Sequence, residues 1–182
     1  MQPCLPATDW NAISAMAASA AAVAAIVWQL SELRHRKAVR QTELMIRLDE
    51  KFDSLEFRKI RVRAAQYLLN PRETDSEGED AVYTVLNFFE GIAYHWRSHL
   101  INDESVWFFV GYWLLPYYII ANTQIVTARA HDPDAFVFLD PMVESVRTFK
   151  SKRRREPTRY DVLTTERSKD FLKDEAALFC ES

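Results

Sequence analysis

Two histidines four residues apart, His95 and His99 in "AYHWRSHL", are the first place to look for chemistry. On a helix that spacing sets both imidazoles on one face. It matches the zinc-protease pattern His-Glu-x-x-His, in which the intervening glutamate is the general base. Here Trp96, Arg97 and Ser98 intervene. The base is missing, and Arg97 repels a cation. A metal would need a third ligand, for which Asp103 and Glu104 are the candidates. The simpler reading puts both histidines in the last turn of a helix, where imidazole suits the negative end of the dipole. They are weak metal candidates, and no cofactor is expected.

Glu90, in "NFFEGIAYHW", sits beside an apolar face, and Arg58, Arg61 and Arg63 lie on the preceding helix. A carboxylate among aromatics is rarely left unpaired. The expectation is a structural ion pair of Glu90 with Arg58 or Arg61, fixing how two helices pack. The alternative is a pocket shared with Asn87 and Tyr94. Nucleophilic catalysis finds no candidate. There is no Gly-x-Ser-x-Gly, and neither Cys4 nor Cys180 has a histidine nearby in sequence. Two isolated cysteines make no disulfide framework and no zinc spacing. Three scattered glycines cannot build a phosphate loop. No catalytic residue is assigned, and an enzyme is the weaker reading.

Two basic clusters remain. Arg34, Arg36, Lys37 and Arg40 follow the first apolar stretch, and Lys150, Lys152, Arg153, Arg154 and Arg155 form a denser run. Each basic residue near an anionic leaflet gains about 1 kcal/mol, so both clusters are assigned to a membrane surface, while a merely solvated helix end is the plainer reading of the second run. Nucleic acid is the rival for the second run. It is disfavoured by the net charge of −3 and by the lack of interleaved aromatics or a recognition fold.

The elements that would position these groups are helical. The 182 residues suit one domain with appendages. A Gly-poor chain rich in Ala, Leu, Glu and Arg favours helices over hairpins. From Trp10 to Ser31 there is no charge, and a helix of that length spans about 30 Å, the thickness of a bilayer core. Mean hydropathy over Ala12 to Leu30 is roughly 1.7, a weak but passing transmembrane value. Trp10 and Trp28 suit the two interfaces. The positive-inside rule then places the N-terminus outside and the bulk of the chain in the cytoplasm. The competing readings are a soluble alanine-rich helix and a cleaved signal peptide, although "MQPCLPATD" lacks a positive n-region. Ala17, Ala21 and Ala25 put small residues on one face, which suggests a homo-oligomer formed through the anchor.

Beyond the anchor, Leu44, Leu48, Phe52 and Leu55 step at helical spacing, and "DSLE" marks a kink or restart. "NPRETDSEGED" reads as a loop. Val82, Leu86, Phe89, Ala93 and Trp96 define the core face of the next helix. Asp103 is expected to cap the helix after it. The uncharged stretch Ser105 to Ala128 averages only about 0.9 in hydropathy, so it reads as the central helix of a bundle, kinked at Pro116. Asp140 and Pro141 start a last packed helix. A charged tail follows, with a marginal amphipathic helix around Phe171 to Phe179.

The anchor with its basic helix, then "KFDSLEFRKIR", "NFFEGIAYHW" and "VWFFVGYW", resembles an uncharacterised bacterial family of short, N-terminally membrane-anchored helical proteins, a domain of unknown function. The resemblance covers roughly residues 10 to 150. It implies a helical cytoplasmic domain on one membrane helix and supplies no activity. The expectation is therefore all-α, one transmembrane helix continuing into a cytoplasmic bundle of about four helices. It divides as 1–9 outside, 10–31 anchor, 32–151 helical domain and 152–182 charged, partly disordered tail. The expected setting is the bacterial inner membrane, single-pass, with the lipid bilayer as one partner and the protein partner unknown. The expected role is a membrane-tethered, non-enzymatic interaction or regulatory module. One alternative is an effector acting on the bilayer through the aromatic helix 106–126. Another is an unrecognised hydrolase using Glu90 or His95/His99.

Overall fold

A computed structural model describes the backbone of residues 10–72, 74–153 and 164–178, and the side chains of 23–72, 74–149 and 164–178. Those residues form seven helices and no strand: α1 (Trp10–Asp53), α2 (Leu55–Leu69), α3 (Ser76–Arg97), α4 (Asp103–Ile120), α5 (Asn122–His131), α6 (Leu139–Arg153) and α7 (Thr165–Ala177). The chain divides into two compact units, Met1–Thr42 and Glu43–Ser182.

The all-α class stands, but the membrane span does not. Among the described residues no helix is long and apolar enough to cross a membrane. This overturns the anchor expected over 10–31. Alanine carries one methyl group and contributes little to transfer into lipid. The helix continues past Ser31, as expected. It runs on through Glu32, Arg34, Arg36 and Lys37 to Asp53.

In the first unit the described side chains lie almost wholly in solvent. Glu32 and Arg36, four apart, pair at 3.0 Å. The second unit holds the core. Its helices start and stop where local chemistry dictates. Ser54 breaks the chain between α1 and α2, and its hydroxyl accepts from the Phe57 N–H. Asp75 caps α3 through the Gly78 N–H and also pairs with Arg63. A β-carbon on Gly78 would lie 2.6 Å from the Tyr67 ring, so only glycine lets α3 approach α2 this closely. Asn102, not Asp103, caps α4 by accepting the Ser105 N–H at 2.8 Å.

The bundle exceeds the four helices expected, because breaks at Ser54 and Ala121 each divide one helical stretch in two and because α7 joins it. Pro116 does not end α4. The helix runs on to Ile120, and the break falls at Ala121. The expected core face of α3 is correct: Val82, Leu86, Phe89 and Ala93 are buried, with Trp96 packed against them. α4 is central. Val106, Val110, Leu114 and Tyr117 are fully enclosed, and the helix packs on α3, α5, α6 and α7. The C-terminal amphipathic stretch is a docked helix, Thr165–Ala177, lying against α2 and α4 with Leu172 fully buried.

Candidate interaction sites

Arg61 lies in the middle of α2 and would be solvated if that helix stood alone. The bundle buries it instead, beside Phe52 of α1 and Trp113 of α4. Its guanidinium carbon sits 4.0 Å from the Phe52 ring centre and 5.6 Å from that of Trp113, close enough for cation–π attraction. Its Nε lies 3.1 Å from Glu175 Oε1 on α7. The geometry is that of an ion pair rather than an aligned hydrogen bond, since neither atom meets hydrogen-bond geometry among the described residues. The Trp113 side chain also hydrogen-bonds to Glu175. The Tyr117 hydroxyl donates to the Arg61 carbonyl at 2.8 Å. Burial raises the Glu175 carboxyl above its ordinary value and lowers that of Arg61. Each shift favours the neutral form, so desolvation outweighs the mutual attraction.

Glu90 takes part in a different network from the one expected. Its Oε1 accepts the Phe138 N–H at 3.0 Å, tying α3 to the segment that leads into α6. Burial raises its carboxyl, against the backbone N–H groups of Phe138 and Leu139 and the charge of Arg129. Arg58, the other expected partner, lies 3.5 Å from Asp53 at the surface. Nearby, Arg129 of α5 grips Asp140 with two nitrogens, each at 2.9 Å. It also donates to the carbonyls of Ala135 and Phe136. The Tyr118 hydroxyl donates to the same Asp140 at 2.8 Å. This arrangement closes the turn in which Phe136 adopts φ 55°.

The histidines do not converge. α3 ends at Arg97, Ser98 caps it, and His99 lies past the end with φ 57°. The four-residue spacing therefore does not put both rings on one helical face. Asp103, the expected third ligand, accepts from the Trp96 indole at 2.7 Å and from the Ser145 hydroxyl at 2.6 Å. It joins α3, α4 and α6. Among the described residues no three His, Cys, Asp or Glu side chains gather to hold a metal.

Val110 and Leu114, central to the aromatic helix 106–126, are fully enclosed in the core. An open groove of about 410 Å³ runs along α2 and α3, lined by Lys51, Glu56, Ile60, Thr84 and Asn87 among others. Arg34, Arg36, Lys37 and Arg40 are exposed on α1. The side chains of Lys150, Lys152, Arg153, Arg154 and Arg155 lie outside the described residues.

Glu175, Arg129 and Trp113 escaped the sequence reading, and Asp140, expected as the cap of the last helix, lies instead within the first turn of α6 and holds Arg129. One signal was available for Glu175. In "SKDFLKDEAA" it shares a helical face with Phe171 and Leu172, so a carboxylate sits on the apolar side of a charged helix.

These features define a helical domain organised around a buried arginine–glutamate pair, with polar ties between helices. Residues 13–165 match the family described as Domain of unknown function (DUF4760), and the chain belongs to that family. No curated protein and no solved structure matches it.

Proposed function

We propose that the protein is a non-enzymatic interaction module that binds an anionic bilayer surface in the interfacial plane through its N-terminal helix, leaving the helical domain to engage a protein partner. One observation carries this reading. Val23, Ile26, Val27, Leu30 and Leu33 fall on one face of α1 and are each more than half exposed. That face spans about 120° at 100° per residue. The exposed basic residues Arg34, Arg36, Lys37 and Arg40 follow directly.

An apolar stripe beside clustered cations suits a helix lying in the headgroup boundary, where buried area and charge attraction add. The occupant follows from charge complementarity. A second copy of this helix would bring like charges together, whereas an anionic surface neutralises them. Arg36 is already paired with Glu32, so Arg34, Lys37 and Arg40 carry most of the attraction.

Co-sedimentation of the full chain with vesicles tests this. Binding is expected to vesicles of equal parts phosphatidylglycerol and phosphatidylcholine, weakening with added salt. Vesicles of phosphatidylcholine alone should retain much less. Ile26→Asp with Leu30→Asp should abolish binding while helical content in circular dichroism is kept. Equal, salt-insensitive recovery with both vesicle types, or none with either, overturns the reading.

A further inference from the structure

The groove along α2 and α3 extends further than its first recess. A second open recess of about 390 Å³ adjoins the first and shares Ile60 and Thr84 with it, so the two form one continuous groove. Helical spacing selects its borders. Glu56, Lys59, Ile60 and Arg63 step by three, one and three along α2. Glu77, Asp80, Ala81 and Thr84 repeat the same steps along α3, so each set lies on one helical face. The helices run antiparallel. Arg63 shares a recess with Glu77 at one end, and Glu56 shares one with Asn87 at the other.

Charge is sorted between the two rims. Where the helices join, α2 presents Lys59 and Arg63, and α3 presents Glu77 and Asp80. Arg63 is already paired with Asp75. Lys59, Glu77 and Asp80 are exposed and make no ion pair among the described residues. The floor between the rims is Ile60, Ala81 and Thr84, short side chains that let another surface approach.

A face with one cationic and one anionic rim is complementary to itself. Let two copies face each other about a twofold axis running along the groove. The α2 rim of each then lies on the α3 rim of the other. Lys59 and Asp80 border the same recess, so they sit at one level and each Lys59 meets the Asp80 of the other copy. The contact forms twice, as an isologous interface requires. Glu56 meets the uncharged stretch from Thr84 to Asn87 and opposes no acid there. An axis across the helices would instead lay α2 on α2, with Lys59 near Lys59, which like charges disfavour.

We infer that the outer α2–α3 groove is the surface through which two copies of this chain pair, with Lys59 and Asp80 as its two symmetry-related ion pairs. A partner surface of a single sign, an anionic bilayer included, is repelled by one rim. Both rims are solvated, so the pairing is weak and sensitive to salt. It does not rest on how α1 meets a membrane.

Charge reversal in full-length chains, followed by sedimentation velocity, tests this. Wild type should gain mass toward a pair as its concentration rises to about 100 µM, and lose it with added salt. Lys59→Glu alone and Asp80→Lys alone each set like charges together at both contacts, and each should weaken pairing roughly 30-fold. A one-to-one mixture of these two variants restores opposite charges at both contacts and should pair as wild type does. The double variant Lys59→Glu with Asp80→Lys should pair with itself but not with wild type. Should either reversal lower helical circular dichroism, Lys59→Gln and Asp80→Asn take its place, and each should weaken pairing several-fold. A wild type that stays single, variants that pair undiminished, or reversed chains that do not recover on mixing overturn the proposal.

Discussion

Two arginine–carboxylate pairs in the same domain have met opposite fates. Arg61 and Glu175 are 4% and 6% exposed, whereas Arg129 and Asp140 are 30% and 48% exposed. In the buried pair both groups shift toward neutrality. In the outer pair both shift toward charge, with the Arg129–Asp140 hydrogen bonds the largest cause for each. The separations are alike, 3.1 and 2.9 Å, so distance does not decide the outcome. Solvent does, together with alignment. The outer pair is two-pronged and further satisfied by Tyr118 and two carbonyls. The inner pair is off-line and leaves donors unused. Charge in the core thus links α7 to α2 at a high desolvation cost, while the outer pair closes the turn between α5 and α6 at a lower one.

The sharpest way to break this contrast is to remove one buried partner. Arg61→Ala or Glu175→Ala should each cost about 3–5 kcal/mol in urea unfolding, because a lone charge is left in the core. The double change Arg61→Met with Glu175→Leu should recover most of that loss or exceed wild type, since apolar groups avoid the desolvation penalty. A double variant as unstable as either single would mean the pair is a net stabiliser.

Asp140→Asn should cost less, about 1–2 kcal/mol, as the bidentate grip on Arg129 and the Tyr118 hydrogen bond weaken in a half-solvated setting. Tyr117→Phe should cost about 1 kcal/mol by removing the donor to the Arg61 carbonyl. A loss above that of Asp140→Asn would place the Arg61 backbone, rather than its charge, at the centre of the contact of α7 with α2 and α4.

The smallest and most diagnostic effect is on pH dependence. The Glu175 and Glu90 carboxyls are raised above the ordinary 4.5, so the folded chain holds protons that the unfolded chain has released. Their contribution is fully present below 4.5 and is lost as pH rises through the folded value. Asp140 is lowered from 3.8. Its contribution is present above 3.8 and is lost as pH falls through its folded value. Glu175→Gln should therefore flatten the decline of stability above pH 4.5, and Asp140→Asn should flatten the acid limb instead. An unchanged profile in Glu175→Gln, measured by thermal melts across pH 4 to 8, would show that this carboxyl titrates as it does in the unfolded chain.

Much of the helical order was legible from local pattern. The core face of α3, the break at Asp53–Ser54, the loop before α3 and the central place of the α4 stretch follow from helical spacing and turn residues. Membership of a family without an assigned activity was legible by a different route, the resemblance carried by "KFDSLEFRKIR", "NFFEGIAYHW" and "VWFFVGYW". The histidine pair was misleading because a four-residue spacing has meaning only inside a helix, and α3 ends two residues too early. The alanine stretch was misleading because freedom from charge is not the same as apolar depth.

The sequence by itself determined that the chain is helical, where most helices start, and which faces are apolar, because these depend on residues within one or two turns of each other. Only the tertiary structure decided that Arg61 meets Glu175 and not Glu90, that Asp103 ties Trp96 to Ser145, and that α7 is part of the core. Those choices set residues far apart in the chain against one another. They are settled by which packing leaves the fewest charges and polar groups without partners, a comparison among whole arrangements that local spacing does not encode.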